Sequence, residues 1–351
     1  MELKNKTPFV AQELYLADEE GRDVVTIVVK ATYRIDVGGE VVLAEEQAPV
    51  EVAGTYHGEP GESSPRFEPE VAPLKLATDV VLLGHACSDR AGARSVNVGL
   101  QCGPIQKVIR VFGERRWLKQ TVLATMSEPQ PFERIPLIYE RAFGGWDRTS
   151  DDAADHTVDV RNPVGVGNHH KKRGRFVAGS PLPNLENPRE PISSYTDTPD
   201  PAGFGFLGPG WAPRIQYAGT YDQSWTQQRQ PLLPRDFDPR FHNAAPPDQI
   251  VAGYLRGDES VSIKNASPEG RLAFRLPGEP PPTCTVRTRD GSVQTQAAAL
   301  DTVILDTDDY RVLLLWRACF PVHRQIHQIQ EITVEPHAAS RFAHRRVAAT
   351  A

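Results

Sequence analysis

The sequence predicts a mainly β protein with antiparallel, sandwich-like sheets, long ordered loops rich in proline and glycine, and little helix. Two observations lead to this prediction. Apolar and polar residues alternate with a period of two in the N-terminal and C-terminal thirds, which is typical of strands that bury one face. The middle of the chain instead holds 22 of the 31 prolines, between Pro129 and Pro282, and proline cannot donate a hydrogen bond to a helix or a sheet.

The N-terminal third predicts several strands. The alternating segment Val24–Ile35 is interpreted as a half-buried strand, with Thr26, Lys30 and Thr32 on its polar side. Gly38-Gly39 then predicts a turn into a strand at 41–43. The apolar run Asp79–Leu83 indicates a buried strand. Two further strands, Ser95–Cys102 and Val108–Phe112, are expected to form a meander around Gly103-Pro104.

The C-terminal third repeats this character. Asp290-Gly291 lies between two alternating runs, which is a strong hairpin signal. Helical periodicity is scarce, and only His323–Gln330 is expected to form about two helical turns. We expect both outer thirds to share one system of sheets, because neither has enough strands to cover a core alone. The predicted strands of this third are Leu272–Leu276, Thr283–Thr288, Ser292–Gln296, Thr302–Leu305, Val312–Phe320 and Glu331–Glu335.

These patterns predict a single β-rich domain over residues 1–335, with a loop-rich middle at 129–282 and a flexible tail at 336–351. The middle also contains tryptophan, tyrosine and phenylalanine, in which disordered chains are poor. We therefore expect its loops to be ordered and anchored by aromatic side chains.

Composition narrows the classes of function. The net charge of −6 and a pI near 6 argue against nucleic acid and membrane as partners. The N-terminus lacks the pattern of a secretory signal, and the apolar run Val312–Trp316 is too short to cross a bilayer. We expect a cytoplasmic protein whose four cysteines act as small buried hydrophobic residues.

Motifs of catalysis and of cofactor binding are not found in the sequence. His323 and His327 have helical spacing but lack the glutamate of a zinc protease, and His169-His170 lie in a basic segment. The glycine-rich run Gly203–Gly210 lacks the Lys-Ser/Thr of a phosphate-binding loop. The sequence therefore predicts no catalytic residue, no metal and no cofactor.

The middle of the chain contains a series of short phrases in which glycine and proline accompany tryptophan, tyrosine, arginine and aspartate. Such residues can either anchor loops onto a sheet or present a surface to a protein partner, and the two roles are compatible. We expect Trp146 and Trp225 to be partly exposed, and Trp117 and Trp316 to lie in the core. The candidate protein-binding residues are Trp146, Asp147, Trp211, Arg214, Tyr221, Asp222, Trp225, Arg235 and Asp236.

A series of phrases along the chain can be compared with known families. In chain order they are Lys30-Ala-Thr-Tyr33, Arg115-Arg-Trp117, Tyr139-Glu-Arg-Ala-Phe-Gly-Gly145, Asn162-Pro-Val-Gly165, Leu182-Pro-Asn-Leu-Glu186, Pro201-Ala-Gly-Phe-Gly205, Trp211-Ala-Pro-Arg214, Ala218-Gly-Thr-Tyr-Asp222, Leu233-Pro-Arg-Asp-Phe-Asp238, Gly257-Asp-Glu259 and Asp301-Thr-Val303. In this order, the phrases resemble the bacterial family named domain of unknown function 2169 (DUF2169), over roughly residues 5–320. One departure is Asn168, where the family often has an aromatic residue.

Genes of this family lie beside type VI secretion genes. The resemblance implies a non-enzymatic adaptor or chaperone that binds a secreted toxin effector and helps load it onto the spike tip, where a PAAR-type protein would be a second partner. It supplies no catalytic residue. The sequence leaves open whether the loops or a sheet edge forms the interface.

An alternative function is a carbohydrate-active enzyme or a carbohydrate-binding module, because aromatic side chains stack on sugars. A cleft with two carboxylates about 5–10 Å apart would favour this enzyme. A broad surface with exposed aromatic side chains would favour the adaptor.

Overall fold

Residues 2–36, 38–88, 90–118, 124–169, 177–322 and 326–337 are described by the computed structural model. In chain order, the strands are β1 (Glu2–Asn5), β2 (Val10–Ala17), β3 (Asp23–Ile35), β4 (Val41–Leu43), β5 (Thr55–Tyr56), β6 (Pro65–Phe67), β7 (Ala77–Leu83), β8 (His85–Cys87), β9 (Ser95–Cys102), β10 (Ile105–Phe112), β11 (Trp117–Leu118), β12 (Thr125–Met126), β13 (Arg134–Pro136), β14 (Phe143–Gly144), β15 (Trp146–Asp147), β16 (Thr157–Val158), β17 (Val166–Gly167), β18 (Leu185–Glu186), β19 (Ile250–Ala252), β20 (Ser260–Lys264), β21 (Arg271–Arg275), β22 (Thr283–Thr288), β23 (Val293–Ala297), β24 (Ala299–Asp306), β25 (Arg311–Pro321) and β26 (Ile329–Glu335).

Helix is confined to short pieces. One α-helix, α1, spans Gln223–Gln228. Strand makes up 41% and helix 8%, so the predicted mainly β class is confirmed. The 3₁₀ turns among the described residues are Tyr139–Arg141, Ala153–Asp155, Arg214–Tyr217, Pro239–His242, Pro247–Gln249 and Ile326–Gln328.

A seven-stranded sheet joins the two ends of the chain. Its strand order is β19-β7-β24-β25-β3-β2, and β4 pairs with β3. β25 runs antiparallel to β3 along its whole length, and β24 runs parallel to β7. The prediction that the outer thirds share a sheet system is confirmed.

Two further sheets complete the scaffold. The order of the five-stranded sheet is β18-β10-β9-β20-β21, and the order of the four-stranded sheet is β1-β26-β22-β23. The predicted meander is the pair β9–β10. The predicted Asp290-Gly291 hairpin joins β22 and β23, and Gly291 takes the left-handed conformation, with φ of 89°, that this turn requires.

One large apolar core receives side chains from all three sheets. Leu82 and Trp316 enter it from the seven-stranded sheet, Ile109 from the five-stranded sheet and Val334 from the four-stranded sheet. Trp316 is fully buried there, and Trp117 is buried in a smaller cluster beneath the loops. The expectation that both tryptophans are core residues is confirmed.

The outer face of the seven-stranded sheet corrects one prediction. β3 was expected to be half-buried, but Thr26, Lys30 and Thr32 on its polar side are buried as well. Irregular chain from residues 47–75 covers this face. The Lys30 ammonium finds its hydrogen-bond partners, Glu70 and the carbonyl oxygen of Pro49, under this cover.

Three ion pairs lie on this outer face, and we call them the buried ion-pair layer. They join Lys30 to Glu70 (2.7 Å), Arg317 to Asp301 (2.6 Å) and Lys75 to Asp79 (2.8 Å). All six side chains are buried. Desolvation raises the pKa of Glu70, although the Lys30 ammonium opposes this shift.

The same side chains hold the cover in place. The Arg317 guanidinium donates hydrogen bonds to the carbonyl oxygens of Glu70 (2.9 Å) and Ala72 (2.7 Å), and the Lys30 ammonium donates to that of Pro49 (2.8 Å). Irregular backbone leaves carbonyls without ladder partners, and a buried carbonyl needs a donor. Charged side chains of the sheet supply these donors.

The predicted helix at His323–Gln330 is wrong. Ile326–Gln328 forms a single 3₁₀ turn, and β26 begins at Ile329. His323 lies outside the described residues, as does the predicted tail from residue 338 onward.

Candidate functional site

An open groove of about 710 Å³ lies beside β10. Residues 106–109 of β10 form its floor, and its walls include the loop residues 187–189, 200–202, 212–213, 216 and 246–248. We call it the edge groove. Its walls come from the loop-rich middle that the sequence singled out, and its volume falls in the range of roughly 300–1,000 Å³ that is usual for binding pockets.

Buried side chains set the wall at residues 212–216. Trp211 packs edge-on against Tyr139, with ring centroids 5.4 Å apart. Arg214 is buried, forms an ion pair with Glu68 (2.5 Å) and donates a hydrogen bond to the carbonyl oxygen of Leu207 (2.8 Å). The wall is therefore fixed before any ligand arrives.

Two cations in the groove are paired with carboxylates. Lys107 contacts Asp248 (2.8 Å), and burial lowers the pKa of its ammonium. Arg161 contacts Asp200 (2.7 Å). Arg189 also lines the groove, and its side chain has no partner among the residues that the structure describes. The lining therefore holds three cations and two carboxylates.

Apolar side chains are exposed in and around the groove. Val108 in its floor is 49% exposed, and Ile215, between the wall residues Pro213 and Gln216, is 43% exposed. Val160, 55% exposed, accepts a hydrogen bond through its carbonyl oxygen from the amide of the wall residue Ala212 (2.8 Å). Trp146 pairs with Val158, two residues before Val160, and is itself 49% exposed. An exposed apolar surface thus runs from the β15–β16 hairpin to the groove.

Three of the nine predicted binding residues are buried. Trp211 and Arg214 hold the groove wall from below, as described above. Asp147 accepts hydrogen bonds from the amide and the hydroxyl of Thr149, and so fixes the end of the Trp146 hairpin. These three residues offer little surface to a partner, and their contacts in the structure hold the surrounding loops.

The other predicted residues reach the surface at two places. Trp146 is partly exposed, as predicted, and the Arg148 guanidinium lies over its ring at 4.7 Å. Tyr221 is 53% exposed and packs edge-on against the half-buried Trp225, whose indole N–H donates to the carbonyl oxygen of Leu232. The expected partial exposure of both tryptophans is confirmed.

The loop around Trp225 is held by local hydrogen bonds. Asp222 caps α1 by accepting a hydrogen bond from the Trp225 amide (2.8 Å). Asp236 accepts hydrogen bonds from the amide and hydroxyl of Thr220, and these bonds lower the pKa of the Asp236 carboxyl. Arg235 is exposed beside it. This loop docks on the β2–β3 turn, because Arg229 donates to the carbonyl oxygen of Glu19.

The edge groove contains two carboxylates, which is the feature that the carbohydrate alternative requires. However, Asp200 and Asp248 are each bound to a cation, as described above. Among the lining residues that the structure describes, Tyr139 is the only aromatic one, and it is buried. A sugar would therefore find no exposed aromatic ring in the groove on which to stack.

Nucleophile and metal chemistry have little support in the described residues. Burial raises the pKa of Cys102 and of Cys284 to about 12, so both thiols stay protonated and inert. One acidic cluster in the described part of the chain, Asp18–Glu20, has the spacing of a cation site, but it is only partly buried and Arg22 binds two of its carboxylates. The absence of a metal stays a prediction; His170 and His323 lie outside the described residues.

Sequence reasoning missed the groove itself. Gln106 and Val108 alternate normally with buried neighbours, so they look like the solvent side of an ordinary strand. Pro246-Pro247 lies in the proline-rich middle of the chain, but nothing in the local sequence gives its position beside β10. The missing information is tertiary: which strand lies next to β10, and over what length.

The structure is thus a β-rich scaffold with an open groove beside β10 and exposed apolar side chains near it. The chain belongs to the DUF2169 family, described as uncharacterized protein conserved in bacteria, whose family model matches residues 20–317. No curated protein and no solved structure matches it significantly. Within the described residues, no helix has the length and apolar character needed to span a membrane.

Proposed function

We propose that the protein is a non-enzymatic adaptor or chaperone that binds a type VI secretion effector and helps load it onto the spike tip. A PAAR-type spike-tip protein is the proposed second partner, and the cytoplasm, where loading precedes secretion, is the proposed location. The resemblance described above supports the link to secretion. The apolar surface from Trp146 to the edge groove is the observation that carries the binding role.

This surface has the composition of an interface centre. Exposed tryptophan and aliphatic side chains next to arginine are typical of residues that contribute most to protein binding. Trp146 is exposed beside Arg148, and the aliphatic side chains of Val160 and Ile215 continue the surface. A charged cargo surface would not need these side chains, so we propose an apolar one.

The loops beneath this surface are already ordered. The Asn162 amide donates hydrogen bonds to the carbonyl oxygens of Tyr139 (2.8 Å) and Phe143 (3.0 Å), which fixes the turn before the groove. Preordered loops lose little conformational entropy on binding, which favours affinity. An adaptor that must capture and release cargo benefits from such a preformed surface.

The test is Trp146→Ala, with Val293→Ala as a matched control. Both side chains are about half exposed, but Val293 lies on the β22–β23 hairpin. We expect Trp146→Ala to lose cargo in a pull-down from the native cell extract while its melting temperature stays within about 2 °C of wild type, as for other exposed positions. Val293→Ala should retain cargo.

A parallel Trp225→Ala variant tests the second surface position. Because the Trp225 indole donates to Leu232, we expect a lower melting temperature in this variant, whether or not cargo is lost. Retention of cargo by both tryptophan variants, or failure to capture any effector with wild type, would refute the proposed binding surface.

A further inference from the structure

One edge of β10 is open inside the edge groove. β10 pairs with β9 along its whole length. On its other side it meets only the two-residue β18, through Arg110 and Val111. Residues 105–109 therefore have a strand neighbour on one side only, within the described part of the chain.

The open edge presents backbone donors and acceptors to the groove. In an antiparallel sheet, the backbone groups of successive residues point alternately to the two sides. The Phe112 amide donates to the Asn184 carbonyl oxygen on the β18 side (2.8 Å), so Val108 and Gln106, of the same parity, direct their N–H and C=O groups to that side. Among the described residues, neither has a partner for these groups.

Loop residues, five of them prolines, line the groove beside the open edge. An open strand edge ordinarily risks pairing with any other exposed edge. Here loops rise on both sides of the edge, and prolines in them provide no N–H that could pair in its place. The prolines that line the walls are Pro188, Pro201, Pro213, Pro246 and Pro247.

We propose that the cargo binds by adding an extended segment as a new strand to the open edge of β10. This inference rests on the proposed adaptor function and identifies the structural form of the cargo contact. The segment donates to and accepts from the backbone groups of Gln106 and Val108, as in other cases of strand addition. Trp146 and its neighbours then contact the folded part of the same cargo.

The charges of the groove select an acidic segment. Lys107 is paired with Asp248, and Arg161 is paired with both Asp159 and Asp200, so Arg189 is the cation of the lining without a carboxylate partner among the described residues. An aspartate or glutamate of the segment pairs with Arg189.

The critical variant is Val108→Pro. Proline at this position removes the N–H that points into the groove, but it leaves the ladder to β9 intact, because that ladder uses the neighbouring residues. Val108→Ala is the matched control, since it shortens the side chain and keeps the N–H.

The probe is a phage-displayed library of random twelve-residue peptides, selected on the wild-type protein and followed by fluorescence anisotropy with the synthetic winners. We expect peptides that contain acidic residues, with binding at least about tenfold weaker to Val108→Pro and within about threefold of wild type for Val108→Ala. N-methylation of alternate peptide nitrogens should abolish binding in one register only, and Arg189→Gln should weaken the acidic peptides.

Several outcomes overturn the proposal. It is wrong if no peptide is enriched, if enriched peptides bind Val108→Pro as tightly as wild type, or if Val108→Pro is unfolded by circular dichroism while Gln106→Pro is folded and binds normally. A dimer that dissociates on Val108→Pro in sedimentation analysis would assign the edge to a second copy of this chain instead of cargo.

The same variants separate this inference from the adaptor function. Effector capture that is lost in Trp146→Ala but kept in Val108→Pro would leave the adaptor role standing and refute strand addition. Peptides that require the β10 edge, together with no effector in the pull-down, would support strand addition and refute the secretion role.

Discussion

The two faces of the seven-stranded sheet are both buried, but by different means. The inner face packs Leu82 and Trp316 against the other sheets in an apolar core. The outer face buries Lys30 and Arg317 under irregular chain. A neighbouring sheet already satisfies its own backbone and needs only apolar contact. An irregular cover has carbonyls to satisfy, so the face beneath it carries donors.

The largest loss of stability is expected from a substitution of Arg317 on the outer face. Arg317→Met leaves the buried Asp301 carboxylate and the carbonyls of Glu70 and Ala72 without their donor. Removing one partner of a buried pair costs about 3–5 kcal/mol of unfolding free energy. Urea denaturation followed by tryptophan fluorescence measures it.

The double variant Arg317→Met/Asp301→Leu sharpens this comparison. If Arg317 stabilised the protein only through its ion pair with Asp301, replacing both residues would restore the wild-type stability. We expect partial recovery, because the carbonyls of Glu70 and Ala72 remain without donors. Full recovery would show that the cover does not depend on these bonds.

On the inner face, the expected effect is somewhat smaller and has another cause. Leu82→Ala removes apolar contact and leaves a cavity but no unpaired polar group, at a cost of about 3 kcal/mol. The same denaturation experiment applies. A matched variant, Leu82→Met, keeps the volume and should cost less than about 1.5 kcal/mol; an equal loss in both variants would contradict the cavity explanation.

The smallest expected effect is a pH dependence of the free energy of unfolding, and it arises from His242, near the charged residues of the outer face. Burial, together with the charges of Arg317, Lys75 and Arg214, lowers the pKa of His242 from 6.5 to about 4. Below pH 6.5, His242 becomes protonated in the unfolded chain, whereas in the folded chain it stays neutral down to about pH 4. His242 therefore contributes its full stability above pH 6.5, and this contribution is lost as the pH falls toward 4.

The loss between pH 7 and pH 4 is expected to be about 1–2 kcal/mol after allowance for the partial exposure of the ring. His242→Gln should flatten the pH dependence of the free energy of unfolding over this interval relative to wild type. Because other histidines titrate equally in both proteins, only the difference between the two curves is informative. Identical slopes would show that His242 is not responsible.

The sequence predicted those parts of the fold that follow from local pattern. Alternation located β3, β9 and β25, and Asp290-Gly291 located a hairpin. The alternation in β3 predicted that Lys30 and Thr32 face solvent, but they are buried. Alternation shows that the two faces of a strand differ, and it does not show what covers each face. The burial of Trp211 and Arg214 was missed for a related reason: a loop residue that anchors and one that binds have the same composition.

The open edge of β10 had no local signal at all. Whether β10 has one neighbouring strand or two along its length depends on β18, which is only two residues long and lies some 75 positions later in the chain. The sequence could therefore leave a sheet edge and a loop surface as open alternatives, but only the three-dimensional structure identifies which edge is free.

The carbonyl contacts of Arg317 have a consequence for how this family can vary. A guanidinium that binds backbone oxygens fixes the path of the cover but not its side chains. Exposed residues of the cover such as Val52 should therefore accept many replacements, provided that the chain keeps its course, whereas Arg317 should accept few. We therefore expect the covering segment to diverge rapidly within the family and Arg317 to be retained, and both expectations follow from the same hydrogen bonds.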